Sequence, residues 1–149
     1  MSSGTALAVA LTLTAGLAGA VQAAVMGELG ERVGVAPALA FSVLVSMACA
    51  LALLLVWERS VSGFRDAAQE PMWLWLGGIM SLLIVLAITI ATPRVGVAAT
   101  IGLVIAGNLV MAAVIDRWGL LGQEEIPITW HRLLGLVFLA AGSALTLRT

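Results

Sequence analysis

The chain has 149 residues, 62% of them hydrophobic and only 10% charged, with a net charge of −1. A water-soluble domain of this size carries about a quarter charged residues, so the composition excludes an ordinary soluble globule and points to an integral membrane protein. The near-neutral balance excludes a basic nucleic-acid surface, and the single cysteine, Cys49, excludes an internal disulfide.

Taken in chain order, the sequence breaks at its charges into five apolar runs. The first spans 5–26 and has no charge before Glu28. It lacks a basic n-region and is longer than the usual signal-peptide core, so it is read as a retained helix. The second covers 35–57, the third 71–93 and the fourth 95–115, each meeting the roughly 20 residues needed to cross about 30 Å of hydrocarbon. The fifth, 130–147, spans if Arg132 and Arg148 snorkel to opposite interfaces. In lipid the backbone must satisfy its own hydrogen bonds, so each run is expected to be a helix. Trp57, Trp73, Trp75, Trp118 and Trp130 all fall at run ends, as an aromatic belt at the headgroups would place them. The connections are short, one of them a single-Arg turn at Pro93-Arg94, and none can hold a soluble domain. The expected fold is an all-α integral membrane protein, a five-transmembrane-helix bundle forming one domain over 1–149.

Five crossings place Arg59, Arg65, Arg117 and Arg132 on the N-terminal side and Arg32, Arg94 and Arg148 on the other. Orientation follows Lys/Arg asymmetry in short loops, and here that bias is nearly absent. Insertion one way and insertion both ways, giving an antiparallel dimer, both fit. A separately encoded partner of opposite orientation fits as well. Small residues at four-residue spacing (Ser42, Ser46 and Ala50; Ala15 and Gly19; Gly16 and Ala20; Gly77 and Ser81; Gly102 and Ala106) predict close helix packing. The Gly77-Gly78 pair is read in the same way.

Two amides lie inside runs. Asn108 precedes Asp116 by eight residues, about 12 Å, and Gln22 precedes Glu28 by six, about 9 Å. They serve either as interhelical hydrogen bonds or as the polar lining of a substrate cavity. With Ser81 and Ser46 they form the expected substrate pathway. Glu28, Asp116 and Arg132 are read as interface charges, with an Asp116–Arg132 salt bridge across one loop. His131 is read as interfacial rather than as a proton relay. There is no catalytic set, no metal-ligand spacing and no phosphate loop, so neither enzyme activity nor a metal or other cofactor is expected.

The pieces "QAAVMGELGERVGVAPALAF" (Gln22 to Phe41), "WLWLGG" (Trp73 to Gly78), "TPRVGVAATIGLVIAGN" (Thr92 to Asn108), "IDRWGLLG" (Ile115 to Gly122) and "RLLGLVFLAAG" (Arg132 to Gly142) stand in an order that resembles the YdcZ family of short bacterial inner-membrane proteins, within the drug/metabolite transporter superfamily. Met26 replaces the family's usual asparagine, Asn108 its fourth-helix glutamine, and Ser81 a glycine. The resemblance implies one half of a ten-helix transporter architecture, multi-pass in the inner (cell) membrane, pairing as a homodimer or with a second five-helix chain. It favours the cavity reading of Gln22 and Asn108. The expected function is secondary transport, as an exporter, of a small organic solute. The alternative is a non-transporting subunit that stabilises a partner membrane protein.

Overall fold

The computed structural model describes residues 3–60, 62–124, 126 and 129–146, and no strand occurs among them. The helices are α1 (Ser3–Val33), α2 (Val35–Glu58), α3 (Ser62–Gln69), α4 (Leu76–Val95), α5 (Val97–Trp118) and α6 (Trp130–Leu145). Short 3-10 turns at Met72–Trp75 and Leu120–Gly122 precede α4 and follow α5.

Helix ends differ from the apolar runs in ways that follow from backbone chemistry. α1 continues seven residues past Met26, because nothing between Gly27 and Val33 breaks a helix. Glu28 and Arg32, one turn apart, pair on its exposed surface, with Arg32 Nε donating to Glu28 Oε1 at 2.6 Å. The turn expected at Pro93-Arg94 is also helical. Pro93 sits in the last turns of α4, Arg94 donates from its guanidinium to the Ile90 carbonyl, and the helix stops only at Gly96. Within the expected connection after α2, Phe64, Ala67 and Ala68 share one face of α3 while Arg65, Asp66 and Gln69 lie elsewhere, making a short amphipathic helix.

Among the described residues four helices are long and apolar enough to cross a membrane: Gly4–Val33, Val35–Glu58, Met72–Val95 and Val97–Trp118. α6 has 16 residues, about 24 Å of helix, which is less than the hydrocarbon thickness of about 30 Å. The end of the fifth run lies outside the described residues.

The two breaks between long helices are alike. Arg-Val-Gly-Val-Ala occurs at 32–36 and again at 94–98. Each copy interrupts helix at a single glycine, Gly34 with φ 92 and ψ 155, Gly96 with φ 83 and ψ 162. Each glycine donates to the carbonyl four residues before it (Gly34 to Gly30 at 3.0 Å, Gly96 to Thr92 at 2.9 Å) and accepts from the amide four residues after it (Ala38 and Thr100, both 3.1 Å). The hairpins α1–α2 and α4–α5 are thus repeats offset by 62 positions.

Their packing has the matching symmetry. α1 crosses α4, α1 lies on α5, and α2 lies on α4. At the crossing, Gly27 faces Thr92 and Gly30 faces Thr89. The offset carries Gly27 to Thr89 and Gly30 to Thr92, so one contact maps onto the other. That is the signature of an isologous contact about a local two-fold axis. α6 packs on α5 and stands outside this symmetry.

The buried residues gather at one end. Ala23, Met26, Ala38, Ile88, Thr89, Thr92, Ala99 and Thr100 are buried, and each lies within eleven residues of Gly34 or Gly96. Toward the opposite end the helices carry mostly exposed side chains. Close approach is likewise concentrated at this hinge end. A Cβ on Gly27 or on Gly30 would stand 2.7 Å from a threonine methyl, whereas Gly16, Gly19, Gly77 and Gly78 have nothing within 4 Å. The expected tight packing at those four glycines is therefore absent within the single chain.

Candidate functional site

The expected pathway residues sit on four different helices: Gln22 on α1, Ser46 on α2, Ser81 on α4 and Asn108 on α5. All four are exposed in the single chain. Their depths agree. Gln22 lies twelve residues before Gly34 and Ser46 twelve after it, while Asn108 lies twelve after Gly96. At 1.5 Å per residue each is about 18 Å from its hinge along the helix axis. Ser81, fifteen residues before Gly96, is about 22 Å away.

Their faces agree too. Helical neighbours recur at three- and four-residue steps. Gln22 stands one turn from buried Met26 and two turns from half-buried Leu29. Ser81 is in line with Val85, Ile88 and Thr92, of which the last two are buried. Ser46 follows Leu39 and Ser42, both half-buried, and Asn108 follows Ile101 and Val104 in the same way. Each polar residue continues a stripe that is packed at the hinge end and open further along. The layer consists of amides and hydroxyls, and no Asp, Glu, Lys, Arg or His lies within five positions of any of the four along the chain.

The structure does not bring the four into mutual hydrogen bonds. Ser46 and Asn108 lie on α2 and α5, which flank the α1–α4 crossing. Three threonines at the hinge end, not singled out in the sequence, are buried instead. Thr89 donates to the Val85 carbonyl at 2.7 Å and Thr100 to the Gly96 carbonyl at 2.8 Å, while Thr92 Oγ1 has no partner among the described residues. Their signal is the second Arg-Val-Gly-Val-Ala copy, which they flank.

The interface charges fall at helix ends. Glu28 and Arg32 pair near the end of α1. Asp116 is half-buried near the end of α5, and its carbonyl accepts the Ile126 amide at 2.7 Å. The side chain of Arg132 lies outside the described residues, and so does the expected Asp116–Arg132 pair. All five tryptophans are exposed near helix ends. Two cavities of about 390 and 460 Å3 lie between α5 and α6, the larger lined by Gly102, Gly135, Phe138 and Gly142 among others. A third, about 320 Å3, opens at the hinge end beside Gly30, Glu31, Thr89, Pro93 and Arg94.

Long apolar helices carrying a polar layer define a multi-helix membrane protein. The family model described as "Putative inner membrane exporter, YdcZ" matches residues 7–145. The chain belongs to that family of inner-membrane exporters, and the four apolar helices among its described residues fit a membrane protein. No curated protein and no solved structure matches it.

Proposed function

We propose that the chain is a secondary transporter, an exporter of a small, uncharged, hydrogen-bonding organic solute. The observation that carries this reading is the layer of Gln22, Ser46 and Asn108, with Ser81 close by, at one depth on stripes that continue the packed faces. Amides and hydroxyls both donate and accept, so they can replace the hydration of a polar solute. A charged solute at this level would meet no countercharge, and an unpaired charge in a low-dielectric site is strongly disfavoured.

The single chain leaves this layer exposed. We infer that a second copy, antiparallel or parallel, or a paired five-helix chain completes the chamber, with α6 as the fifth span and the chain as one half of a ten-helix drug/metabolite transporter architecture. The exposure of all four polar residues supports this, because lipid is a poor neighbour for them.

The test is a ligand-stability screen on purified protein with neutral amides, polyols and sugars set against organic cations such as ethidium. A neutral solute that binds should raise the melting temperature by mass action, and the same solute should cross proteoliposomes containing the protein. Stabilisation by cations alone would reject the uncharged class. No flux for any stabilising solute, with a membrane protein co-purifying, would favour the non-transporting subunit.

A further inference from the structure

Between the polar layer and the hinge end, α1 and α4 cross in direct contact. A Cβ on Gly27 would stand 2.7 Å from Thr92 Cγ2, and one on Gly30 2.7 Å from Thr89 Cγ2, so the helices touch where neither glycine has a side chain. Ala38, Ile88, Ala99 and Thr100 are buried at the same end. On the outer side of the crossing lies the hinge-end cavity of about 320 Å3, whose lining includes Gly30 and Thr89 as well as Glu31 and Arg94. The crossing therefore separates a mouth bearing charged side chains from the layer of Gln22, Ser46 and Asn108.

One atom in this seal is unsatisfied. Thr92 is 8% exposed and its Oγ1 has no hydrogen-bond partner among the described residues. Thr89 and Thr100 bond to carbonyls one turn back, but Thr92 turns its methyl against Gly27. A buried hydroxyl without a partner is destabilising. In a permanently closed seam a valine would fill the same space at no such cost. In a seam that opens, the hydroxyl regains a partner from water or solute each time the helices separate.

We propose that the Gly27/Gly30–Thr89/Thr92 crossing is the hinge-side gate of the transport path, closed in this structure, and that the unpaired Thr92 hydroxyl weakens the closed state so that the gate can open. This rests on the transport reading above. The local two-fold makes the two hairpins equivalent bodies that meet at an isologous contact. Glycines at that contact leave no side chain of their own interlocked across it, so the hairpins can part as units.

The test uses thiol labelling without any solute. In a Cys49→Ala background, Thr100→Cys places a near-isosteric reporter at a position only 2% exposed. The full chain is reconstituted in liposomes and exposed to a membrane-impermeant methanethiosulfonate. Thr92→Val should slow labelling by about tenfold, within the range expected when an unsatisfied hydroxyl is removed. Gly30→Ala should speed labelling, because the added methyl prevents closure. Adding Thr89→Ser should return the rate toward its starting value, since the next atom in the way, the Thr89 carbonyl oxygen, is 3.7 Å off. An unchanged rate in Thr92→Val would overturn the gate, and this variant decides the matter even if Gly30→Ala fails to fold. Changes in melting temperature alone, with labelling constant, would make the crossing a static seam. A failed gate leaves the transport reading to the flux assay, and labelling as expected without flux would reject transport alone.

Discussion

Ser46 and Asn108 occupy the same position in two copies of one helical hairpin. Each lies twelve residues beyond its hinge glycine and eight beyond a buried residue, Ala38 in one copy and Thr100 in the other. Two polar positions proposed separately as pathway residues are thus one position repeated. Gln22 has no such counterpart, for the offset of 62 places Ile84 opposite it. The layer is symmetric in depth but not in chemistry.

The hinge glycines should be intolerant of any side chain. Gly34 (φ 92, ψ 155) and Gly96 (φ 83, ψ 162) lie in a backbone region that only glycine populates, and other residues held there are destabilised by roughly 1–3 kcal/mol. Gly34→Ala and Gly96→Ala should each lower the melting temperature in detergent, and by similar amounts because the two turns are alike. Gly107→Ala, at a glycine whose added Cβ meets nothing within 4 Å, serves as the control. Equal stability of all three variants would refute the shared hinge conformation.

The membrane spans were legible because their signal is simple, about 20 apolar residues in a row. Helix ends were not, because charges mark where lipid stops rather than where a helix stops. Glu28, Arg32 and Arg94 lie beyond the apolar stretches yet remain on helices whose breaks come at Gly34 and Gly96. Gly27 and Gly30 read as loop glycines for the same reason, so the closest helix contact went unrecognised. The repeated Arg-Val-Gly-Val-Ala is readable as a pattern, but its consequence, a contact that maps onto itself, depends on how the two hairpins pack. The depth of Gln22 and Asn108 could be approximated from nearby charges. Their relation to the packed stripes depended on knowing which faces were buried.

Orientation should respond to very few charges. With α6 as the proposed fifth span, Arg59, Arg65, Arg117 and Arg132 oppose Arg32, Arg94 and Arg148, a difference of one, and topology follows such bias. Reporter fusions at the C-terminus should reveal both orientations in cells. Two lysines added near the N-terminus should fix that end in the cytoplasm. A wild type found on one side only, and unmoved by the lysines, would leave fixed insertion as the answer.

Transport should carry no net charge. The polar layer contains no ionisable group, so neither a charged solute nor a proton has a side chain in that layer to hold it. Once a stabilising neutral solute is in hand, its flux into proteoliposomes should be the same with and without an imposed potassium diffusion potential. No solute-dependent current should appear on a solid-supported membrane. A current that reverses with the solute gradient would show that charge moves with the solute, on the solute itself or on a coupled ion, and would overturn electroneutral transport.

Asn108 is the residue on which the site reading depends most. Its side chain is exposed on α5 at the level of Gln22 and Ser46, in line with the half-buried Val104 and Ile101. If it contacts the solute, Asn108→Leu should abolish binding and flux while the protein still inserts and pairs, because leucine fits a lipid-facing or helix-facing position but offers no hydrogen bond. If the amide only ties helices together across a chain interface, the same change should lower stability by about 1 kcal/mol, the usual size of such a bond in a membrane. Flux per folded molecule would then be kept. Melting temperature and flux measured on one preparation separate the two roles. Ser46→Leu provides the comparison, since it alters the equivalent position of the other hairpin. A pathway shared by both hairpins loses flux in both variants. A pathway built on α5 alone loses it only with Asn108→Leu, and full specific activity in that variant would remove Asn108 from the site.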